Sequence, residues 1–191
     1  MTKKLDEKTR RKLVNYLNSR FGIDDCFFDD YLFTISGHSV SIIFQTKETK
    51  RFIENQMRQN FTISFGIELF SNYKDYTPSS LGFGVFKKEQ ITQNYIELNR
   101  KLANEYFSGK VIELKEIKNY NVLSSGFVIC IFDSYVIGTA FFEKNTEEIK
   151  PNLSFVNEKI RWLDFSWYKF FNFFKNKFVF TIKHNLVSWF F

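Results

Sequence analysis

The sequence predicts an α+β fold: a small N-terminal α/β domain over residues 1–89, a mixed β-barrel over 90–164 and an aromatic C-terminal extension over 165–191. Three observations carry this. Every residue from Phe127 to Phe132 is apolar, and only Gly138 and Thr139 interrupt the run from Tyr135 to Phe142. Runs of this kind suit strands covered on both faces, because a solvent-exposed hairpin alternates. Gly138 sits inside the second run, where it weakens a regular strand and marks a bulge, a bend or a close backbone approach, as at the corner of a small barrel. The order from residue 94 onward is strand, helix, strand, hairpin and short closing strand (159–163), which suits a compact mixed barrel.

Taken from the amino end, residues 6–21 read as an amphipathic helix, with Asp6 and Glu7 near its positive end and Gly22 to stop it. Leu13, Val14, Leu17 and Phe21 form its apolar stripe. Lys8, Arg10, Arg11 and Lys12 fall away from that stripe, as a solvated face or, as the rival reading, an RNA-contacting one. Residues 31–35 and 39–44 flank Ser36-Gly37-His38 as a hairpin. A second helix spans 47–59 with Phe52, Ile53 and Met57 inward. A strand over 61–70, a loop over 72–80 and a glycine-bearing strand over 81–88 complete the first domain, whose boundary falls near Glu89.

In the second domain a helix over 99–108 buries Leu102, Ala103, Tyr106 and Phe107 and ends at Gly109. Arg100 and Lys101 occupy its first turn, where positive charge costs about 0.3–1 kcal/mol against the helix dipole. A penalty this small permits a binding role without demanding one. Lys110 opens the next strand. Lys159 and Arg161 alternate with Ile160 and Trp162, so both bases point out of the barrel together. Outward bases on an edge strand also guard against aggregation.

The extension places Trp167, Phe170, Phe171, Phe174 and Phe178 at helical spacing. Its apolar runs fall short of the roughly 18 residues a spanning helix needs. Packing on the body, docking to a partner or membrane surface, and remaining unpacked are the three readings.

A chain of 191 residues with 26 Phe and only two Pro is globular and has room for two lobes. Its formal charge of +6 suits an anionic partner such as RNA, and lysine outnumbers arginine, which favours phosphate attraction over bidentate base reading. Cys130 reads as a small core residue and is not expected to pair with Cys26. The N-terminus lacks the apolar segment of a signal peptide, so a cytoplasmic location is expected.

His38 and His184 stand alone, without a second ligand at i+4 or a Cys-x-x-Cys nearby, so no metal is expected. Gly82-Phe-Gly84 lacks the third glycine of a dinucleotide loop, and no phosphate loop occurs, so no cofactor is expected. Asp24, Asp25, Asp29 and Asp30 have the wrong spacing for a calcium loop and read as a solvated turn.

The runs NYIELNRKLANEYFSGKVIEL (94–114), GFVICIFDSYVIGTAFFE (126–143) and IRWL (160–163) resemble a PUA-type RNA-binding domain, in particular the one closing Nip7-like ribosome-biogenesis proteins. A related PUA-like domain ends some RNA cytosine methyltransferases. The opening helix, the 31–44 strand pair and LGFGVFK (81–87) resemble the small α/β domain that precedes the PUA domain in the Nip7-like family. There the connection is longer, and here residues 88–93 replace it. The resemblance implies a non-enzymatic RNA-binding adaptor in rRNA processing or subunit assembly, with pre-rRNA and assembly proteins as partners. Arg100, Lys101, Lys110, Lys150, Lys159 and Arg161 are then the expected RNA contacts, Lys159 and Arg161 foremost. Two rivals are an accessory RNA-binding subunit of a methyltransferase or pseudouridine synthase, and a membrane-peripheral protein anchored by the aromatic extension.

Overall fold

The computed structural model describes residues 2–58, 66–80 and 82–153, the side chains of 52, 54 and 56–58 excepted. The chain divides into compact units at 1–154 and 155–191, and the architecture below is that of the first. It is mixed α+β.

The first sheet holds β1 (Thr2–Lys4), β2 (Tyr31–Ser36), β3 (Ser39–Phe44), β4 (Ile67–Asn72) and β5 (Thr77–Pro78), antiparallel throughout and in chain order. The β2–β3 hairpin turns at Gly37, whose φ of +61° a side chain would resist. Against this sheet packs α1 (Glu7–Phe21). Asp6 starts it by accepting the Thr9 N–H at 2.9 Å, which holds the Asp6 carboxyl below its usual range, and Gly22 ends it in the left-handed region. Leu13, Val14, Leu17 and Phe21 join Phe33, Ile35, Val40 and Ile42 in one buried cluster. After β3 comes α2 (Lys47–Arg58), where Ile53 is buried; Phe52 and Met57 fall outside the described side chains.

In place of the strand expected over 81–88, the described residues from 82 onward form two 3-10 turns, Gly82–Val85 and Lys88–Gln90. The reason is a three-residue spacing: Phe83 and Phe86 fall on one side of a 3-10 turn, and both are buried in the first cluster. Gly82 backs onto β4 so closely that a Cβ there would stand 1.7 Å from the Glu68 carbonyl oxygen. The Asp24–Asp30 turn is also more ordered than expected, since Asp24 accepts the Cys26 N–H at 3.0 Å and caps a 3-10 turn, Asp25–Phe28. Of the strand expected over 61–70, the described part begins at Ile67, and residues 59–65 lie outside the described residues. The loop expected over 72–80 gives up Thr77–Pro78 to β5, a sheet edge where proline is tolerated.

The second sheet runs β7-β11-β10-β9-β6-β8. Its strands are β6 (Tyr95–Glu97), β7 (Ile112–Glu113), β8 (Asn119–Asn121), β9 (Gly126–Phe132), β10 (Tyr135–Glu143) and β11 (Glu148–Pro151), with β6 parallel to β9 and the remaining pairs antiparallel. Asp133 and Ser134 both take positive φ, as a two-residue hairpin turn requires. The register slips between Val136 and Gly138, so Gly138 does mark a bulge. The strand expected over 110–115 shortens to β7 and passes into a 3-10 turn, Leu114–Glu116. Among the described residues β7 and β8 are the edges and do not pair; the expected closing strand at 159–163 lies outside them.

Between β6 and β7 runs α3 (Arg100–Phe107), burying Leu102, Ala103 and Tyr106. Its start is fixed by Asn99, whose side chain accepts the Leu102 N–H at 3.0 Å. Asn99→Ala is expected to destabilise the protein by about 1 kcal/mol, readable as a lower urea midpoint at unchanged slope. Val128, Cys130, Ala140, Phe142 and Ile149 share a cluster with α3, whereas Ile129, Ile131 and Val136 belong to the cluster of the first sheet. The central strands are therefore covered on both faces, as their unbroken apolar runs require. The changeover between sheets, from Pro78 to Tyr95, brackets Glu89, and the shared cluster ties both halves into one unit.

Candidate nucleic-acid interface

The orientation of α1 is set at its carboxyl end. Arg20 donates from Nε to the Phe127 carbonyl at 2.8 Å, from Nη1 to Ser124 Oγ at 2.7 Å and from Nη2 to the Ser124 carbonyl at 3.0 Å. Gly126, at φ +125°, lets the backbone approach this guanidinium, which a Cβ would meet at 3.1 Å. Asn94 completes the joint: its amide nitrogen donates to the Arg20 carbonyl at 2.6 Å, and its oxygen accepts the Leu123 N–H at 3.0 Å. With its apolar stripe on the first sheet and its last turn bound to the second, α1 must present the remaining face to solvent.

That outward face carries Lys8, Arg11, Lys12, Asn15 and Ser19, all exposed, with neighbours three or four residues apart except the adjacent Arg11 and Lys12. Lys8 and Lys12 stand one turn apart and, among the described residues, make no ion pair. Arg11 shares Glu7 with Arg10, at 3.2 and 3.5 Å. Arg10 itself is structural: it donates to the Phe28 carbonyl at 3.1 Å and lies 5.3 Å from the Phe33 ring centroid. One turn beyond Lys12, Tyr16 stacks on Tyr76, with ring centroids 4.5 Å apart and planes 24° from parallel. Burial pushes the Tyr16 hydroxyl up to about 12. Tyr76 holds a left-handed backbone at φ +52°, unusual for an aromatic residue. Lys3 and Lys4 extend the positive region along β1, where they also shield a sheet edge.

Charge is distributed unevenly along the chain. Residues 1–20 hold seven Lys and Arg against two Asp and Glu, residues 155–191 hold six against two, and residues 90–153 hold seven against eight. The described part of the second sheet thus has no positive excess, and three of its six lysines, Lys101, Lys115 and Lys150, are paired in place, as is Lys88 just before it. Lys88 meets Glu97 at 2.5 Å, Lys101 meets Glu105 at 3.9 Å and Glu116 at 3.8 Å, Lys150 meets Glu148 at 3.3 Å, and Lys115 pairs with Glu113.

The expected RNA contacts are dispersed by this fold. Arg100 and Lys101 start α3, and Lys110 follows its carboxyl end, its N–H bonded to the Glu105 carbonyl. Lys150 projects from the opposite face of the sheet, because its neighbour Ile149 lies in the α3 cluster and strand side chains alternate. Lys159 and Arg161 lie outside the described residues. One of the pairings follows from strand spacing, since Glu148-x-Lys150 places opposite charges on one side of β11, and Glu113 and Lys115 are close neighbours in sequence where β7 passes into a 3-10 turn. Those of Lys88 and Lys101 to Glu97 and Glu116 depend on the tertiary fold.

Other polar groups have structural partners. Tyr106 donates to the Thr139 carbonyl at 2.9 Å and bonds Ser80 Oγ at 3.2 Å, and Asn152 reaches Thr139 Oγ1 at 3.0 Å and the Pro78 carbonyl at 2.9 Å. Burial drives the Tyr106 hydroxyl and the Cys130 thiol well above their ordinary pKa. Cys26 and Cys130 are both free thiols, one exposed and one in the core. Among the described residues no cluster of His, Cys, Asp and Glu could hold a metal ion, and no helix is long and apolar enough to cross a membrane. No protein-family model matches the sequence, and no curated protein matches it.

Proposed function

We propose that this protein is a non-enzymatic RNA-binding adaptor, with residues 90–164 as a PUA-like lobe and ribosomal or pre-ribosomal RNA as the target. The observation that carries RNA binding is the outward face of α1, where Lys8 and Lys12 make no ion pair among the described residues and the first twenty residues hold seven bases against two acids. Cations left unneutralised on a rigid helix are available to phosphate, whereas those paired to glutamate must first break an ion pair. The mixed parallel and antiparallel second sheet with its crossing helix supports the PUA-like reading, and the resemblance to ribosome-biogenesis proteins points to ribosomal RNA. Lys159 and Arg161 remain proposed contacts within the other basic stretch.

Titration of a fluorescein-labelled single-stranded RNA at increasing salt tests this. With three or four phosphate contacts, log K against log salt is expected to fall with a slope of about −2 to −3. Affinity that ignores salt removes the electrostatic basis of the reading. Crosslinking to total RNA followed by sequencing is expected to enrich ribosomal precursors.

A further inference from the structure

This inference rests on the RNA-binding reading and narrows it. Most of the strained or exposed features of the fold have local explanations: Asp133 and Ser134 make a hairpin turn, Asn94 bridges the two sheets, and the acidic turn caps itself. Tyr76 closes the turn between β4 and β5, donating its N–H to the Tyr73 carbonyl at 3.4 Å from a left-handed backbone, and its half-buried ring lies over Tyr16. Both rings pack against the first-sheet cluster, and Tyr16 makes a tilted contact with Phe70 at 6.1 Å, so the stack is held in a fixed position. Tyr16 also follows Lys12 by four residues, and Lys12 follows Lys8 by four, which aligns the ring pair with these two exposed cations along one side of α1.

We infer that Lys8, Lys12 and the Tyr16–Tyr76 stack form a subsite for single-stranded RNA, in which the lysines take phosphates and Tyr76 takes one unstacked base. Every base has a π-face that an aromatic ring can accept, and a base within a duplex cannot leave its stack without cost. The subsite therefore selects strandedness rather than sequence, consistent with a surface that presents lysine and tyrosine rather than bidentate arginine.

The test uses the full chain and two labelled probes, a single-stranded oligoadenylate and a hairpin duplex of equal length. Tyr76→Gly removes the ring where the left-handed backbone suits glycine, and Tyr76→Phe keeps the ring. Tyr76→Gly is expected to weaken single-strand binding about tenfold while leaving duplex binding within twofold, and Tyr76→Phe to match the parent. Photocrosslinking of the unmodified chain provides a readout independent of any variant's folding, with adducts expected at Tyr76. Parent-like single-strand binding by Tyr76→Gly, or crosslinks that avoid Tyr76, overturns this subsite and leaves RNA binding standing. A parent chain that binds neither probe overturns both.

Discussion

Gly138→Ala is expected to destabilise the protein by about 3 kcal/mol or more, a large share of the roughly 5–15 kcal/mol typical of a folded domain. Two costs act together. Gly138 sits at φ +151°, where an L side chain is strained, at a cost of order 1–3 kcal/mol. Its missing Cβ would stand 2.3 Å from the Tyr106 hydroxyl and 2.6 Å from Ser80 Oγ, so the added methyl overpacks a buried site for about another 1–3 kcal/mol. Those hydroxyls also hold the Thr139 backbone, its carbonyl by Tyr106 at 2.9 Å and its N–H by Ser80 at 3.4 Å, so displacing them breaks bonds that water cannot replace. Tyr106→Phe alone is expected to cost about 1–1.5 kcal/mol. Because it clears space beside Gly138, the double variant should be less destabilised than the sum of the two. Urea denaturation decides: a Gly138→Ala protein within 1 kcal/mol of the parent contradicts the geometry at the bulge.

Arg20→Ala is expected to cost about 3 kcal/mol, and Arg20→Lys to recover little of it. Three donors of one planar guanidinium reach three acceptors on residues 124 and 127, a fork that a single ammonium cannot span. Hydrogen bonds to a charged group contribute about 1.5–3 kcal/mol in such settings, and truncation also leaves the half-buried Phe127 carbonyl without its side-chain donor. The loss should be local first. Native-state hydrogen exchange is expected to show amides around 123–128 exchanging faster while those of β2 and β3 keep their protection. If Arg20→Lys equals the parent in stability and exchange, the joint does not depend on the fork.

Much of the fold was legible because local signals and burial agreed. In α1, Asp6, the 13-14-17-21 stripe and Gly22 each specify the same helix, and in the β9–β10 hairpin the apolar runs, Asp133-Ser134 and Gly138 specify strands, turn and bulge. Residues 81–88 misled because apolar residues in Leu-Gly-Phe-Gly-Val-Phe satisfy strand composition, while the spacing of Phe83 and Phe86 suits a 3-10 turn just as well. The short strands β8 and β11 carry too few residues for a period, so only pairing with neighbours defines them. For the interface, charge could be read but its neutralisation only in part. The pairing of Lys101 with Glu105 follows from helical i,i+4 spacing, but only the fold brings Glu116 within 4 Å of that lysine.

The central claim is that the free bases of α1, rather than the paired bases around the second sheet, carry the electrostatic attraction to RNA. Comparing salt dependence for Lys8→Gln/Lys12→Gln with Lys101→Gln/Lys115→Gln/Lys150→Gln tests it directly. The α1 variant should flatten the slope by about 1.4, at roughly 0.7 per lost contact, with the second variant keeping the parental slope. A parental slope in the α1 variant and a flattened one in the other would contradict the account.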